Sequence, residues 1–263
     1  MMIRITERDL RLLVKCAVCR WLTTDQVKRL YFPEATLNAV QKRLRKLSEA
    51  GYLRSHQEHP TAEAIHAVGP KGKPLVEEKG VEVAVGGEVP RQVDHMLGVN
   101  EIRIAVETGG ANVAYFFAYW RLANLGWAHP VIPDAVFAVR TPELRTFLVE
   151  FDRSTETLEK LFQKLQWYDQ GLAEFPFEAV LILTERTRRL DLLGRELRRR
   201  NPSLPVLAST LEEAVEEGFF ESSFLEIASG ESRKVLEPQR DEANRSSLGL
   251  LSGSPLERRG NLL

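Results

Sequence analysis

The sequence predicts an α/β protein of two domains: a small N-terminal helix-turn-helix domain with a β-hairpin, and a larger α/β domain around a mixed sheet. Residues 1–56 contain three helical segments and a strong excess of positive charge. Residues 86–90 contain Gly-Gly and Pro, as a domain linker often does. Beyond residue 133, apolar strand-like segments alternate with helical ones, which is typical of a layered α/β domain. We therefore expect domains at residues 1–85 and 91–220.

Length and composition limit the class of protein. At 263 residues and 43% hydrophobic content, the chain can bury a core in each domain. No apolar run is long enough to span a bilayer and the N-terminus lacks an apolar signal region, so we expect a cytoplasmic protein without membrane association. Cys16 and Cys19 are too few for a disulfide framework. A zinc site joining them to His56 and His59 is disfavoured by the long gap between the pairs, and we expect buried thiols.

The net charge of −1 conceals an uneven distribution of charge along the chain. Residues 1–56 contain 12 Lys or Arg against 5 Asp or Glu, whereas residues 57–105 contain 5 basic and 8 acidic residues. Positive charge concentrated in one segment is typical of a surface that docks on a polyanion. The N-terminal segment is therefore where we expect double-stranded DNA to bind.

Three helices are predicted in this segment. Thr6 and Asp9 have the spacing of a capping box at the start of the first. The second begins at Thr24 and ends before Pro33, which cannot continue a helix. The third covers residues 35–50 and is basic and amphipathic. A short helix, a turn and a basic helix form a helix-turn-helix, whose last helix would enter the major groove.

The third helix has two distinct faces, and two strands follow it, at residues 52–55 and 64–68, which would form the wing of a winged helix. Leu37, Val40, Leu44 and Leu47 make the predicted buried face. Arg and Lys can read guanine, and Asn can read adenine. A winged helix used for protein contacts, as in a homodimer, is the alternative. The predicted DNA-binding residues are Asn38, Lys42, Arg43, Arg45 and Lys46.

The second domain alternates strands and helices, and from about residue 229 to 263 we expect a disordered tail, because the chain there is polar with few aromatic residues. Helices are predicted at 91–110, 154–172, 187–200 and 211–218, and strands at 111–120, 133–139, 145–152, 177–184 and 204–209.

Three acids follow or precede buried strand segments in this domain. Glu150 and Asp152 leave one strand on the same face, and Asp134 lies on the preceding strand. Oxygen donors converging without His or Cys suit Mg²⁺ or Mn²⁺, and no organic cofactor is indicated. Solvated strand-end acids and a structural ion-pair network are the alternatives.

Helical periodicity selects one lysine for this site. Lys164 and Tyr168 lie together at one border of the apolar stripe of the helix, whereas Lys160 points further out. We therefore expect Lys164 to point toward Glu150, with plain solvation as the alternative.

The helix at residues 187–200 is rich in arginine. It could form a second phosphate-contacting surface or a solvated face, and both interpretations remain open. The arginines in and next to it are Arg186, Arg188, Arg189, Arg195, Arg198, Arg199 and Arg200.

The central stretch carries a resemblance to a known family. Across roughly residues 5–220 the chain resembles the replication-relaxation family of plasmids and mobile elements, and more distantly the PD-(D/E)xK nucleases with their restriction-endonuclease-like fold. The residues that carry it are Pro133-Asp134, Glu150-Phe-Asp152-Arg153-x-Thr155, Lys164 and Tyr168. The family also has positions that match His95 and Asn100.

The resemblance implies a catalytic site of Asp134, Glu150, Asp152 and Lys164. In the nucleases an Asp and a Glu bind magnesium, and a Lys two residues after the Glu steadies the attacked phosphate. Here that position is Asp152, so Lys164 would have to substitute from the helix. Replication or relaxase proteins are the further partners that the resemblance implies.

These observations predict a DNA-binding protein of a plasmid or mobile element, acting in replication or DNA mobilisation, with a nuclease-like domain whose cleavage of DNA is weak or absent. One alternative is a metal-dependent DNA nuclease that its winged helix targets. The other is a winged-helix transcriptional regulator.

Overall fold

The computed structural model describes residues 3–83, 88–127, 130–171 and 175–237. The protein is a mixed α/β structure whose chain divides into two compact units, the first ending at Asn100 and the second beginning at Glu101. The predicted linker at residues 86–90 lies partly outside the described residues.

The first unit contains the predicted helices and strands. Its sheet is antiparallel with the strand order β1-β3-β2. The helices are α1 (Glu7–Cys19), α2 (Thr24–Tyr31), α3 (Leu37–Glu49), the short α4 (Lys73–Glu77) and the first half of α5 (Val93–Thr108). The strands are β1 (Leu22–Thr23), β2 (Leu53–His56) and β3 (Ile65–Val68).

Local sequence signals set the ends of these helices. The capping box of Thr6 and Asp9 is present, and Thr23 forms a second one with Gln26 at the start of α2. Gly51 follows α3 with a φ of 83°, a left-handed conformation that favours glycine at a helix end. The predicted boundaries therefore hold to within about two residues, the usual uncertainty of helix ends.

The predicted buried face of α3 is correct except at its first residue. Val40, Leu44 and Leu47 are buried, but Leu37 is 49% exposed. Leu37 directly follows the N-cap Thr36, at the open end of the helix, where neighbouring elements do not cover it. Helical periodicity places Leu37 on the correct face but cannot show where that face stops being covered.

The second unit is built on a seven-stranded mixed sheet of order β10-β9-β8-β7-β6-β5-β4. Its strands are β4 (Val113–Ala118), β5 (Ala135–Arg140), β6 (Leu144–Asp152), β7 (Ala179–Thr184), β8 (Val206–Thr210), β9 (Phe224–Glu226) and β10 (Ser232–Arg233). Its helices are the second half of α5, α6 (Tyr119–Asn124), α7 (Leu158–Gly171), α8 (Thr187–Arg200) and α9 (Leu211–Glu216).

The pairing of strands follows from the connections between them. Strands β6, β7 and β8 are parallel and joined by α7 and α8, whereas the pairs outside them are antiparallel. Every residue of β7 is buried, as expected for a central strand covered on both faces. On one face, apolar residues of α7 and α8 pack against Leu148, Val180 and Val206. On the other, Phe137 stacks on Phe147 with ring centroids 5.1 Å apart and meets Phe219 edge-on.

Three features of this unit differ from the prediction. The apolar run at residues 111–120 ends in helix α6, because a continuous apolar run does not distinguish a buried strand from a buried helix. Helix α7 begins at Leu158 rather than near Ser154, which has a φ of 63° outside the helical range. Strands β9 and β10 were not predicted.

The prediction that a disordered tail starts at about residue 229 is wrong, because strand β10 lies beyond that residue. Strand β10 pairs with β9, and Val235 beyond it is fully buried. The backbone carbonyl of Leu236 accepts a hydrogen bond of 2.7 Å from Arg145. The polar composition after residue 229 led to a wrong prediction of disorder, because only a few contacts hold this segment in place. The remainder of the predicted tail, residues 238–263, lies outside the described residues.

Candidate functional site

Glu150 is the centre of the candidate site in the second unit. It lies near the end of β6 and is 2% exposed. Its Oε2 accepts a hydrogen bond of 2.8 Å from the Nζ of Lys164, and its Oε1 accepts one from the hydroxyl of Tyr168. The Nζ of Lys164 also lies 3.1 Å from the Oε2 of Glu156. The predicted direction of Lys164 is therefore confirmed, while its catalytic role stays a prediction.

Burial and the contacts with Lys164 and Tyr168 act on the pKa of Glu150 in opposite directions. Burial, followed by the charge of Asp134, raises the pKa of the Glu150 carboxyl, and the contacts with Lys164 and Tyr168 lower it. The balance places the pKa at about 7. Burial tends to lower the pKa of Lys164, but the charge and hydrogen bond of Glu150, together with the charges of Asp134 and Glu156, raise it above its ordinary value. A carboxyl with such a pKa exchanges a proton near neutral pH, which is a property of acid–base groups.

Asp134 lies beside Glu150 across the sheet. The register pairs Ala135 with Val149, so Asp134, the residue before β5, lies opposite Glu150 of β6. One carboxylate oxygen of Asp134 accepts a hydrogen bond of 2.8 Å from the backbone N–H of Phe151. Two of the three predicted acids are therefore neighbours.

Asp152 does not join this pair, which corrects the prediction that three acids converge. Its Oδ2 accepts a hydrogen bond of 2.7 Å from the Nε of Arg189 on α8, and its Oδ1 accepts one of 2.7 Å from the backbone N–H of Ser154. Asp152 is therefore part of a structural ion pair, which was one of the alternatives to a metal site. Strand alternation correctly put it on the face of Glu150 but could not foresee a partner 37 residues later.

The side chains present do not fit a three-carboxylate cation site. Both oxygens of Glu150 accept hydrogen bonds from protein donors, and Asp152 is neutralised by Arg189. Within residues 3–83, 88–127, 130–171 and 175–237, no three His, Cys, Asp or Glu side chains are grouped so as to hold a metal ion. Mg²⁺ or Mn²⁺ at Asp134 and Glu150 would have to share the Glu150 carboxylate with Lys164 and Tyr168.

The second candidate surface is the exposed face of α3. Asn38, Lys42, Arg45 and Lys46 are all exposed, as predicted. Arg45 lies 3.9 Å from Glu49 in an ion pair whose partners are both mostly exposed, so the pair is weak. These four side chains are therefore accessible to a polyanion.

Arg43 is half-buried and is held by contacts within the first unit. Its Nε donates a hydrogen bond of 2.9 Å to the buried Asp9, a second nitrogen also contacts Asp9, and the same nitrogen donates to the backbone carbonyl of Arg4. Burial tends to raise the pKa of Asp9, but the hydrogen bonds from Arg43 and Thr6 outweigh it and lower the pKa. The structure therefore gives Arg43 a structural contact that its sequence position did not predict, while its role in DNA binding stays a prediction.

Two further polar groups in the first unit are structural. Cys16 and Cys19 are buried, as expected for thiols packed in a core. Asn100 is buried and its side-chain amide donates to the backbone carbonyls of Cys19 and Trp21, at 3.0 and 2.8 Å. Asn100 therefore ties the first half of α5 to the end of α1.

Sequence reasoning missed the ion pairs of Arg189 with Asp152 and of Asp9 with Arg43, and it treated Tyr168 only as a neighbour of Lys164. For Tyr168 a signal existed, because it follows Lys164 by four residues on one face of a helix. For Arg189 and Asp9 no local signal exists, since each meets its partner through the tertiary fold.

None of the helices in the described part of the chain combines the length and the apolar character that crossing a bilayer requires.

Comparison with known proteins gives one positive result. No curated protein and no solved structure matches the chain. The sequence profile of the replication-relaxation family matches residues 13–176, more than half of the chain, and includes α3, Asp134, Glu150 and Lys164. The chain therefore belongs to the replication-relaxation family.

Proposed function

We propose that the protein binds double-stranded DNA through its first unit and acts in the replication or mobilisation of a plasmid or mobile element. The observation that carries the proposal is the exposed basic face of α3, with Lys42, Arg45 and Lys46 accessible and Asn38 beside them. Family membership supports the replication theme. Phosphate contacts by such side chains provide most of the affinity for DNA, and base contacts provide specificity.

The arrangement of the first unit supports a winged helix. Helices α2 and α3 are joined by a short turn, and the antiparallel pair of β2 and β3 follows. In a helix-turn-helix the last helix enters the major groove. The connection between β2 and β3, residues 57–64, would then be the wing. We place the sequence-reading contacts on α3 for this reason.

We further propose that the second unit is nuclease-like and that its cleavage of DNA is weak or absent. A phosphoryl-transfer site requires positive charge directed at phosphate oxygens. Here Lys164 is directed at Glu150 and Glu156 instead, and Asp152 occupies the position where the nucleases have a lysine. The hydroxyl of Tyr168 also donates a hydrogen bond to Glu150, so a second protein group competes with any ligand for this carboxylate.

Replacing Lys42 and Arg45 together with Ala tests the DNA-binding surface. The affinity for duplex DNA should fall at least about tenfold, or 1.4 kcal/mol, and depend less steeply on salt. Arg11→Ala with Lys79→Ala is a matched control, because it removes the same charge from exposed positions outside α3. Unchanged affinity in a folded Lys42/Arg45 variant would refute the assigned face.

A metal-dependent DNA nuclease is the second candidate. The observation that favours it is the group of Asp134, Glu150 and Lys164, which holds two carboxylates and a cation at neighbouring positions.

Calorimetric titration with Mg²⁺ or Mn²⁺, with and without DNA, and a cleavage assay separate the two candidates. If cleavage occurs, Glu150→Ala and Lys164→Ala should each abolish it, whereas the exposed Lys160→Ala should not. Vigorous cleavage in Glu150→Ala would show that the active site lies elsewhere.

A further inference from the structure

The tertiary structure divides the arginines of α8 into two groups. The first group is held by acidic partners within the second unit, at 2.7 to 2.9 Å. Arg200 also lies over the ring of Phe162. The pairs are Arg189 with Asp152, Arg199 with Glu196 and Arg200 with Glu159.

The second group is exposed and has no acidic partner among the described residues. It consists of Arg186, Arg188, Arg195 and Arg198. Arg198 donates a hydrogen bond of 3.2 Å to the backbone carbonyl of Gly194, which holds its side chain against the helix. Within the described residues, the positive charge of these exposed side chains is therefore not balanced by an ion pair.

Two of these arginines form a row along the helix together with Arg199, whose side chain stays 72% exposed in its pair with Glu196. At about 100° per residue, positions 188, 195 and 199 fall within an arc of roughly 40°. They span about 16 Å at a rise of about 1.5 Å per residue. Leu193 and Leu197 lie on the opposite side of the helix and are buried against the sheet. The arginine row therefore faces away from the core of the unit.

The position of Arg188 in the helix is unfavourable without an external anion. The first turn of α8 contains no acidic residue, and the helix dipole disfavours cations at that end. Arg189, next to it, is compensated by Asp152, whereas Arg188 is not. The arginines near the C-terminal end have a local explanation in the same dipole, but Arg188 does not.

We propose that the α8 arginine row, consisting of Arg188, Arg195 and Arg199, is a second DNA-contacting surface that binds the phosphate backbone. This inference rests on the proposed DNA binding and extends it to the second unit. Duplex DNA carries about one negative charge per 1.7 Å of helix axis, so a row of about 16 Å meets several phosphates. Arginine forms bidentate hydrogen bonds with phosphate, which suits contacts that position DNA without reading its sequence.

The test uses the full chain with Arg188→Gln and Arg195→Gln combined, because neither side chain has an ion-pair partner among the described residues. Binding of a fluorescent duplex is measured over a range of salt concentrations, and binding of poly-glutamate is measured in parallel. Affinity for the duplex should fall at least about tenfold at low salt, and the slope of log affinity against log salt should decrease by about 0.9 for each phosphate that the variant no longer neutralises. Arg140→Gln with Lys160→Gln, at exposed positions off the row, is the control of equal charge change and should bind nearly as the wild type does.

The outcomes separate this inference from the proposal on which it rests. If the control variant loses as much affinity as the α8 variant, only net charge matters and the row is refuted. If the α8 variant binds as the wild type does while the Lys42/Arg45 variant is weakened, the row is refuted and DNA binding through α3 stands. Weaker binding of poly-glutamate with unchanged binding of DNA would assign the row to an acidic protein and overturn the inference. Absence of DNA binding in the wild type would overturn both proposals.

Discussion

Glu150 and Asp152 show how differently two acids of one strand can be used. They lie two residues apart on the same face of β6, yet Glu150 contacts Lys164 and Tyr168, whereas Asp152 is neutralised by Arg189. Strand alternation predicts their shared face, and helical periodicity predicts the approach of Lys164. The partner of Asp152 comes from α8 and depends on how that helix lies on the sheet.

Replacing Glu150 with Gln should change how stability depends on pH. The pKa of Glu150 is raised from 4.5 to about 7, so the folded state favours the protonated carboxyl. The protonated Glu150 carboxyl therefore adds to the free energy of unfolding below about pH 4.5, and this contribution is lost as the pH rises to about 7. Relative to the wild type, Glu150→Gln should therefore gain stability as the pH rises from about 4.5 to about 7, as measured by denaturant unfolding. Glu159→Gln, an acid of α7 whose side chain is 61% exposed, is the control. A constant difference between Glu150→Gln and the wild type would contradict this prediction.

Replacing Arg43 with Ala should destabilise the first unit rather than remove a DNA contact. The substitution leaves the carboxylate of Asp9, which is 1% exposed, without its charged partner. Breaking a buried pair costs about 3 kcal/mol, whereas an exposed substitution such as Lys42→Ala changes the free energy of unfolding by about 0.5 kcal/mol or less. Denaturant unfolding of both variants checks this, and equal stability of the two would place Arg43 on the surface.

Helix α3 illustrates how an element acquires its role from its surroundings. Its basic residues and its apolar stripe are legible from spacing alone, and the exposure of Asn38, Lys42, Arg45 and Lys46 follows from the burial of Val40 and Leu44 on the other side. The exposure of Leu37 and the inward contact of Arg43 do not follow from spacing. Arg43 contacts Asp9 in the first turn of α1 and the backbone of Arg4, and Leu37 lies at the end of α3 where the fold leaves it exposed.

Leu37 and Leu44, two residues of the apolar stripe of α3, should respond differently to substitution. Leu37→Gln should change the free energy of unfolding by about 0.5 kcal/mol or less, because Leu37 is largely exposed. Leu44→Ala should cost about 2–5 kcal/mol, because the smaller side chain leaves a cavity in the core. Denaturant unfolding measures both, and a large cost at Leu37 would mean that a partner or another part of the chain covers it.

On the scale of the whole chain, the first unit extends beyond the residues that form its helix-turn-helix and hairpin. The chain divides after Asn100, within α5, and the first half of that helix is bound to α1 and α2 by the side chains of Asn100 and Gln26. A fragment that stops in the predicted linker would lack these contacts. DNA binding by the first unit alone is therefore best tested with residues 1–108.

Replacing Asn100 with Ala should weaken the first unit measurably. Two buried backbone carbonyls, of Cys19 and Trp21, would lose their donor. Leaving buried polar groups unsatisfied costs about 1–3 kcal/mol each. Thermal unfolding of fragment 1–108 with and without the substitution measures the loss, and the exposed Lys79→Ala serves as the control. An unchanged melting temperature in Asn100→Ala would show that water replaces the amide.

The sequence by itself determined most of the helices and strands, the basic face of α3, the shared face of Glu150 and Asp152, and the choice of Lys164 as the lysine directed toward Glu150. Each of these follows from a period of two or 3.6 residues, or from a capping residue, and therefore depends only on neighbours along the chain. The tertiary structure alone decided that Arg43 meets Asp9 and that Arg189 meets Asp152, and it added β9 and β10 to the edge of the sheet. Those contacts join residues far apart in sequence, where only the packing of whole elements decides which charge is buried and which stays exposed to a ligand.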